Sequence, residues 1–155
     1  MTTQTESRTY DEVAPLSQTL HRLDEAHRRF RGHVARSLAM TPTELTGLLI
    51  IATSPGISPS ALAADLSIGD GNTKALIDNL EDAGLLRRIT NTAPSQPAAL
   101  ELTNAGHETL TRMRTGYRQV LGEADTDGSL TAILSQLDNI TGTLNTAAKN
   151  SHPKF

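Results

Sequence analysis

The chain has 155 residues, 37% of them hydrophobic but only 3% aromatic, with a formal net charge of −3 and no cysteine. A chain of this length suits one compact domain burying roughly two-thirds of its unfolded surface, and with few aromatics its core must be Leu, Ile, Val and Ala, which favours striped helices. The missing cysteines exclude a disulfide framework, a zinc–thiolate site and a thiol switch, and no apolar run approaches the roughly 20 residues of a membrane span.

Residues 1–10 are polar and read as a flexible N-terminus. The opening MTTQTESRTYDEV lacks a basic start followed by an apolar stretch, so no secretory signal is expected and the default location is the cytoplasm. Val13, Leu16, Leu20, Leu23, His27, Phe30, Val34 and Leu38 then recur at steps of three and four. That spacing predicts one helix over residues 11–40 with a single buried stripe and arginines opposite.

Thr41-Pro42-Thr43-Glu44 is a helix start, with Thr41 as N-cap, Pro42 in the first helical position and Glu44 as the reciprocal capping partner. The helix runs to about Thr53, with Leu45, Leu48, Leu49 and Ala52 inward, until Ser54-Pro55-Gly56 breaks it. Ser58-Pro59-Ser60 repeats the signal for a short helix with Leu62 and Leu66 inward. Ile68-Gly69-Asp70-Gly71 makes a tight connection. The next helix carries Leu76, Ile77, Leu80 and Ala83, and Gly84 ends it in a left-handed conformation.

Residues 85–90 and 99–102 read as two strands around a loop, 91–98, that holds two prolines. Two strands alone are barely stable, so the hairpin must lean on the helices. Thr103 caps a further helix with Leu110, Met113, Tyr117, Val120 and Leu121 inward. Residues 122–128 read as a turn, the last helix carries Leu130, Ile133, Leu134, Leu137, Ile140 and Leu144, and the end is a polar tail, 151–155. The fold class is mainly α with a small β-hairpin.

Two short helices joined by a Gly-containing turn and followed by a hairpin make the winged helix-turn-helix plan. Three phrases go further. Residues 62–68 (LAADLSI), residues 76–88 (LIDNLEDAGLLRR) and residues 102–106 (LTNAG) occur in order and at spacings that resemble the MarR family of bacterial transcriptional regulators. The resemblance runs from about Asp11 to Ala147.

It implies a ligand-responsive, DNA-binding regulator rather than an enzyme, without a cofactor. Residues 11–40 and 104–150 would form the dimerisation helices of a homodimer, and residues 41–103 the DNA-binding lobe. The two recognition helices would enter successive major grooves of a near-palindromic operator, with each wing toward a minor groove.

On this pattern Asn72 reads adenine, Thr73 meets a thymine methyl or a phosphate, and Lys74 reaches guanine or phosphate. Asp70 either caps the recognition helix or accepts from cytosine, and the cap is the favoured role. Ser58 and Ser60 cap the preceding helix and touch phosphate. Ser67 and Gly69 in the turn, Arg88 inside the wing, and Ser95 and Gln96 at its tip complete the DNA-binding set. Arg88 equally suits a phosphate or a nearby acid. A small amphipathic or aromatic effector, often an acid in this family, would meet Arg28, His33 or Arg36.

Several residues depart from the family pattern. The arginine often found after Lys74 is Ala75, and the basic residue four further on is Asn79. The wing loop 91–98 carries no charge, and residues 41–103 hold three basic residues against seven acids. Duplex affinity comes largely from neutralised phosphates, so weak DNA binding with a shallow salt dependence is expected. The rival reading is a winged-helix interaction module that binds a protein or a small molecule.

The arginine-rich stretch 28–36 reads mainly as a solvated face. His21, His27 and His33 recur every six residues and so do not share a helix face. No metal site, nucleophile elbow or phosphate loop is expected.

Overall fold

The computed structural model describes residues 3–89, 98–124 and 130–149. Their order is α1 (Thr3–Ser37), α2 (Pro42–Thr53), α3 (Pro59–Leu66), α4 (Asp70–Asp82), β1 (Leu86–Ile89), β2 (Ala99–Leu102), α5 (Asn104–Ala124) and α6 (Leu130–Lys149). This is the mainly α architecture with a small antiparallel hairpin expected from the sequence. The chain divides into two compact units, residues 1–114 and residues 115–155.

In the first unit, α1 starts at Thr3, inside the stretch that composition marked as a flexible end. Its apolar stripe is closed only in the last turns. Val34 and Ala35 are buried, and Leu20, Phe30 and Leu38 are half-buried, while Leu16, Leu23 and His27 are exposed. The helix is the one the periodicity predicts, but the stripe is not buried as expected: of its described positions only Val34 is buried, and the Val13 side chain lies outside the described residues.

The start of α2 is capped as the residues predict. The Thr41 hydroxyl accepts from the Glu44 amide at 3.2 Å, and the Glu44 carboxylate accepts from the Thr41 amide at 2.8 Å. The buried face is Leu45, Gly47, Leu48 and Ile51. Leu49 and Ala52, expected inward, are half-buried because the helix is rotated to bring Gly47 against α4. A Cβ on Gly47 would stand 3.2 Å from the Leu76 side chain, so the missing side chain sets the α2–α4 approach.

The Ser58 hydroxyl accepts from the Ala61 amide at 3.2 Å and caps α3. Ser67 ends that helix at φ +53, in the left-handed region. Helix α4 ends as expected. Gly84 sits at φ +70, its amide donates to the Glu81 carbonyl, and the Leu85 amide donates to the Leu80 carbonyl.

β1 and β2 pair in register, with Leu86 opposite Leu102 and Arg88 opposite Leu100. Support for the hairpin comes partly from a contact the sequence did not signal. Ile57, just before α3, bridges Leu100: the Leu100 amide donates to the Ile57 carbonyl and the Gly56 amide donates to the Leu100 carbonyl, each at 3.0 Å. Leu86, Leu100 and Leu102 then close the core with Leu45, Leu48, Leu62, Ile77, Leu80 and Leu110.

Thr103 joins the hairpin to α5. Its hydroxyl donates to the Gly84 carbonyl and accepts from the Gly106 amide at 3.2 Å. Gly106 has no room for a side chain, since a Cβ would lie 2.2 Å from the Leu85 carbonyl oxygen. In α5, Leu110 and Met113 are buried as expected.

The second unit holds the rest of α5 and α6. Tyr117 is half-buried, but Val120 and Leu121 are exposed rather than inward. No residue of α6 is buried: Ile133, Leu134 and Leu144 are exposed, and Leu130, Leu137 and Ile140 half-buried. No helix among the described residues is long and apolar enough to cross a membrane.

Candidate nucleic-acid interface

Helices α3 and α4 and strand β1 border an open groove of about 500 Å³ lined by Pro59, Ser60, Asp70, Thr73, Lys74, Ile77, Asp78 and Arg88. Six of these are polar or charged groups on elements held by the core just described. Ser60 stands beside the cap, its hydroxyl 3.0 Å from that of Ser58. The groove therefore joins the capped start of α3 to the exposed side of α4.

Helix geometry sorts the α4 candidates. Successive residues turn by about 100°, so Asn72, Thr73 and Lys74 cannot share a face. Thr73 points inward, is 2% exposed and donates its hydroxyl to the Gly69 carbonyl at 3.1 Å. Its expected role at a thymine methyl or a phosphate is thus corrected: packing against the core uses it instead. Asn72 and Lys74 are exposed, but on opposite flanks. Between them the outward side carries Gly71, Ala75, Asp78 and Asp82.

Asp70 also differs from expectation. Gly69 is the N-cap of α4 and no side chain completes it. Asp70 is the first helical residue, where its charge favours the positive end of the helix dipole. Ser67 and Gly69 are exposed in the turn. Ser95 and Gln96 lie outside the described residues.

The electrostatics of this face are self-contained. Lys74 Nζ lies 2.7 Å from Asp78. The Arg88 guanidinium forks onto the carboxylates of Asp78 and Glu81, and its backbone amide also donates to Glu81. Arg87 lies 3.1 Å from Glu101 across the hairpin. Hydrogen bonds from Lys74 and then Arg88 hold the Asp78 carboxyl below its ordinary range. All three basic residues of segment 41–103 are thereby paired with acids. Of the two roles open to Arg88, the structure shows the acid partner.

Asn79, at a position where the family often has a basic residue, serves a structural purpose. Its amide donates to the Glu44 carboxylate at 3.3 Å, tying α4 to the capping box of α2.

The candidate effector residues are not assembled into one site. Arg28 pairs with Asp24 on its own helix, and His33 and Arg36 are exposed. A cavity of about 310 Å³, absent from the sequence reading, lies elsewhere in the first unit. Leu38, Met40, Leu80 and Leu85 give it apolar walls, while Glu44, Asn79, Thr109 and Arg112 add polar ones. Among the described residues no cluster of three or more His, Asp or Glu side chains is placed to hold a metal.

A capped helix, a tight turn, a second helix with an exposed side and an antiparallel hairpin define this lobe as a winged helix-turn-helix. Residues 40–93 match the family model described as MarR family. Proteins of that family are transcription regulators, not enzymes.

Among known proteins, a Thauera aromatica protein assigned as a transcriptional regulatory protein for the hcr operon is 30% identical over 88 residues. The match takes in 57% of this chain and 53% of that protein, so the chain spans about half of its relative's length. The transcriptional repressor CouR, solved bound to a 23-mer DNA duplex, superposes with a TM-score of 0.63 at 27% identity, covering 81% of this chain and 92% of CouR. A multiple antibiotic-resistance repressor from Listeria monocytogenes gives a TM-score of 0.63 at 19% identity, covering 89% and 99%.

Proposed function

We propose that the protein binds duplex DNA as a homodimer and regulates transcription in response to a small effector. The observation that carries this reading is the winged helix-turn-helix lobe with its capped helix starts, most of which falls in the segment matched by the MarR family model. The likeness to CouR, itself bound to DNA, supports it. A two-fold pair of such lobes sets two α4 helices about one helical turn apart, which suits a near-palindromic operator.

Lys74 and Asn72 contact the duplex from the two flanks of α4, while Ser58 and Ser60 at the start of α3 meet phosphate. The apolar rows left open on α1, α5 and α6 supply the dimer contact, because a helix with no buried residue gains little from folding unaided. The protein works in the cytoplasm, where its DNA is.

The effector belongs in the 310 Å³ cavity rather than at Arg28, His33 and Arg36. Its volume is at the lower end of ligand pockets, roughly 300–1,000 Å³. Its apolar walls with Arg112 at one side suit a small amphipathic or aromatic acid. A ligand favouring one spacing of the two lobes then shifts the DNA-bound population.

The test is a gel shift with the DNA upstream of the protein's own gene at two salt concentrations. A shift is expected, with a shallow salt slope, and Lys74→Ala should weaken it about tenfold, within the range for one good polar contact. An unchanged affinity removes Lys74 from the interface.

The second reading, a winged-helix module that binds a protein or small molecule, draws on one observation. The outward side of α4 is small and acidic, and the lobe's basic groups are paired. The absence of any shift at low salt would select it.

A further inference from the structure

We propose that Asp78 and Glu81 set the strength and salt dependence of duplex binding by occupying Lys74 and Arg88, the two cations that border the α3–α4 groove. The inference rests on the DNA-binding reading and adds residues that oppose the contact instead of making it.

The geometry is specific. Asp78 receives Lys74 through one carboxylate oxygen and Arg88 through the other. Glu81 takes the second arm of the Arg88 fork. Lys74, Asp78 and Arg88 all line the same groove. The pairs come from different levels of structure: Lys74 and Asp78 are four residues apart on one helix, while Arg88 arrives on β1 once the hairpin has folded against α4.

Two cations and two carboxylates in contact bring no net charge to a phosphate. Counterion release scales with the phosphates a protein neutralises. A phosphate approaching Lys74 meets a group already neutralised, with Asp78 close enough to repel it. Exposed ion pairs are individually weak, so the carboxylates act as competitors and not as a lock. The consequence is low affinity for arbitrary DNA and dependence on the contacts that carry sequence.

The experiment measures duplex affinity against salt for wild type, Asp78→Asn, Glu81→Gln and the double variant, on operator and on unrelated duplex. Asp65→Asn is the control, because Asp65 is exposed on α3 in the same lobe and removes the same charge. Freeing one cation should steepen the log–log salt slope by about 0.9, which amounts to roughly eightfold tighter binding at 0.1 M salt relative to the same contact at 1 M. Asp78→Asn should show this change, the double variant about twice it, and Asp65→Asn much less. Adding Lys74→Ala to Asp78→Asn should cancel most of the gain. Binding that appears only once the acids are removed also supports the proposal.

Equal slopes for wild type and the Asp78 and Glu81 variants overturn it while leaving DNA binding intact, as does a control that matches Asp78→Asn. If no protein in the series binds duplex at low salt, this inference and the DNA-binding reading fall together.

Discussion

The lobe between α2 and β2 and the helix α6 treat their apolar side chains in opposite ways. In the lobe, Leu45, Leu48, Leu62, Leu80, Leu86 and Leu100 are almost wholly enclosed, and the starts of α2 and α3 are capped by side chains. In α6 the amphipathic pattern is just as clear, yet Leu134 remains 57% exposed and no residue is buried. An apolar stripe thus marks a surface to be covered without saying whether the same chain covers it. The lobe closes itself, and α6 leaves its apolar face open.

Substitutions in the two regions should therefore fail differently. The largest effect is expected from replacing Leu134 and Leu144 together by Glu. The proposed dimer should dissociate, read as a halved mass by light scattering, with the lobe still folded. A pair that stays dimeric would sever α6 from the interface.

Next, Leu100→Ala should lower stability by about 2–5 kcal/mol, the usual cost of emptying a leucine site in a core. Denaturant melts would show it, and oligomeric state at moderate protein concentration would not. Thr41→Ala removes half of the capping box and should cost about 1 kcal/mol, again as a shift in midpoint.

The smallest effect concerns acid. The Asp78 carboxyl is held below its ordinary range by Lys74 and Arg88, so its contribution to stability is present above the unfolded aspartate pKa of about 3.9 and lost as pH falls through the lower folded value. Wild type and Asp78→Asn should differ slightly and constantly between pH 5 and 8, then converge below about pH 4. A gap that persists at pH 2 would show that the substitution acts through packing rather than charge.

Local chemistry made much of the fold legible. Thr41, Pro42 and Glu44 announced α2, Ser58 and Pro59 announced α3, and Gly84 marked the end of α4, because each acts on backbone groups within a few residues. Thr103 and Gly106 were legible as a phrase, but its physical reason, the Leu85 carbonyl against Gly106, needed the fold. The Ile57–Leu100 bridge left no trace in sequence, since it joins segments far apart in the chain. The site was read less well. Lys74 and Asn72 are exposed as expected, while Thr73 is spent on the core, because the phase of a helix is fixed by what it packs against. The Lys74–Asp78 pair follows from four-residue spacing, but the arrival of Arg88 depends on how the hairpin docks.

The Thr103 hydroxyl touches the last turn region after α4 and the first turn of α5 at once, through the Gly84 carbonyl and the Gly106 amide. With Gly106 seated directly on Leu85, no slack remains at that junction. The end of α4 and the beginning of α5 are thereby tied to each other. Any bending that re-aims α4 must arise farther along α5 or on the α2 side, and a valine at position 103, which keeps the shape but not the hydroxyl, is the substitution that would loosen the joint.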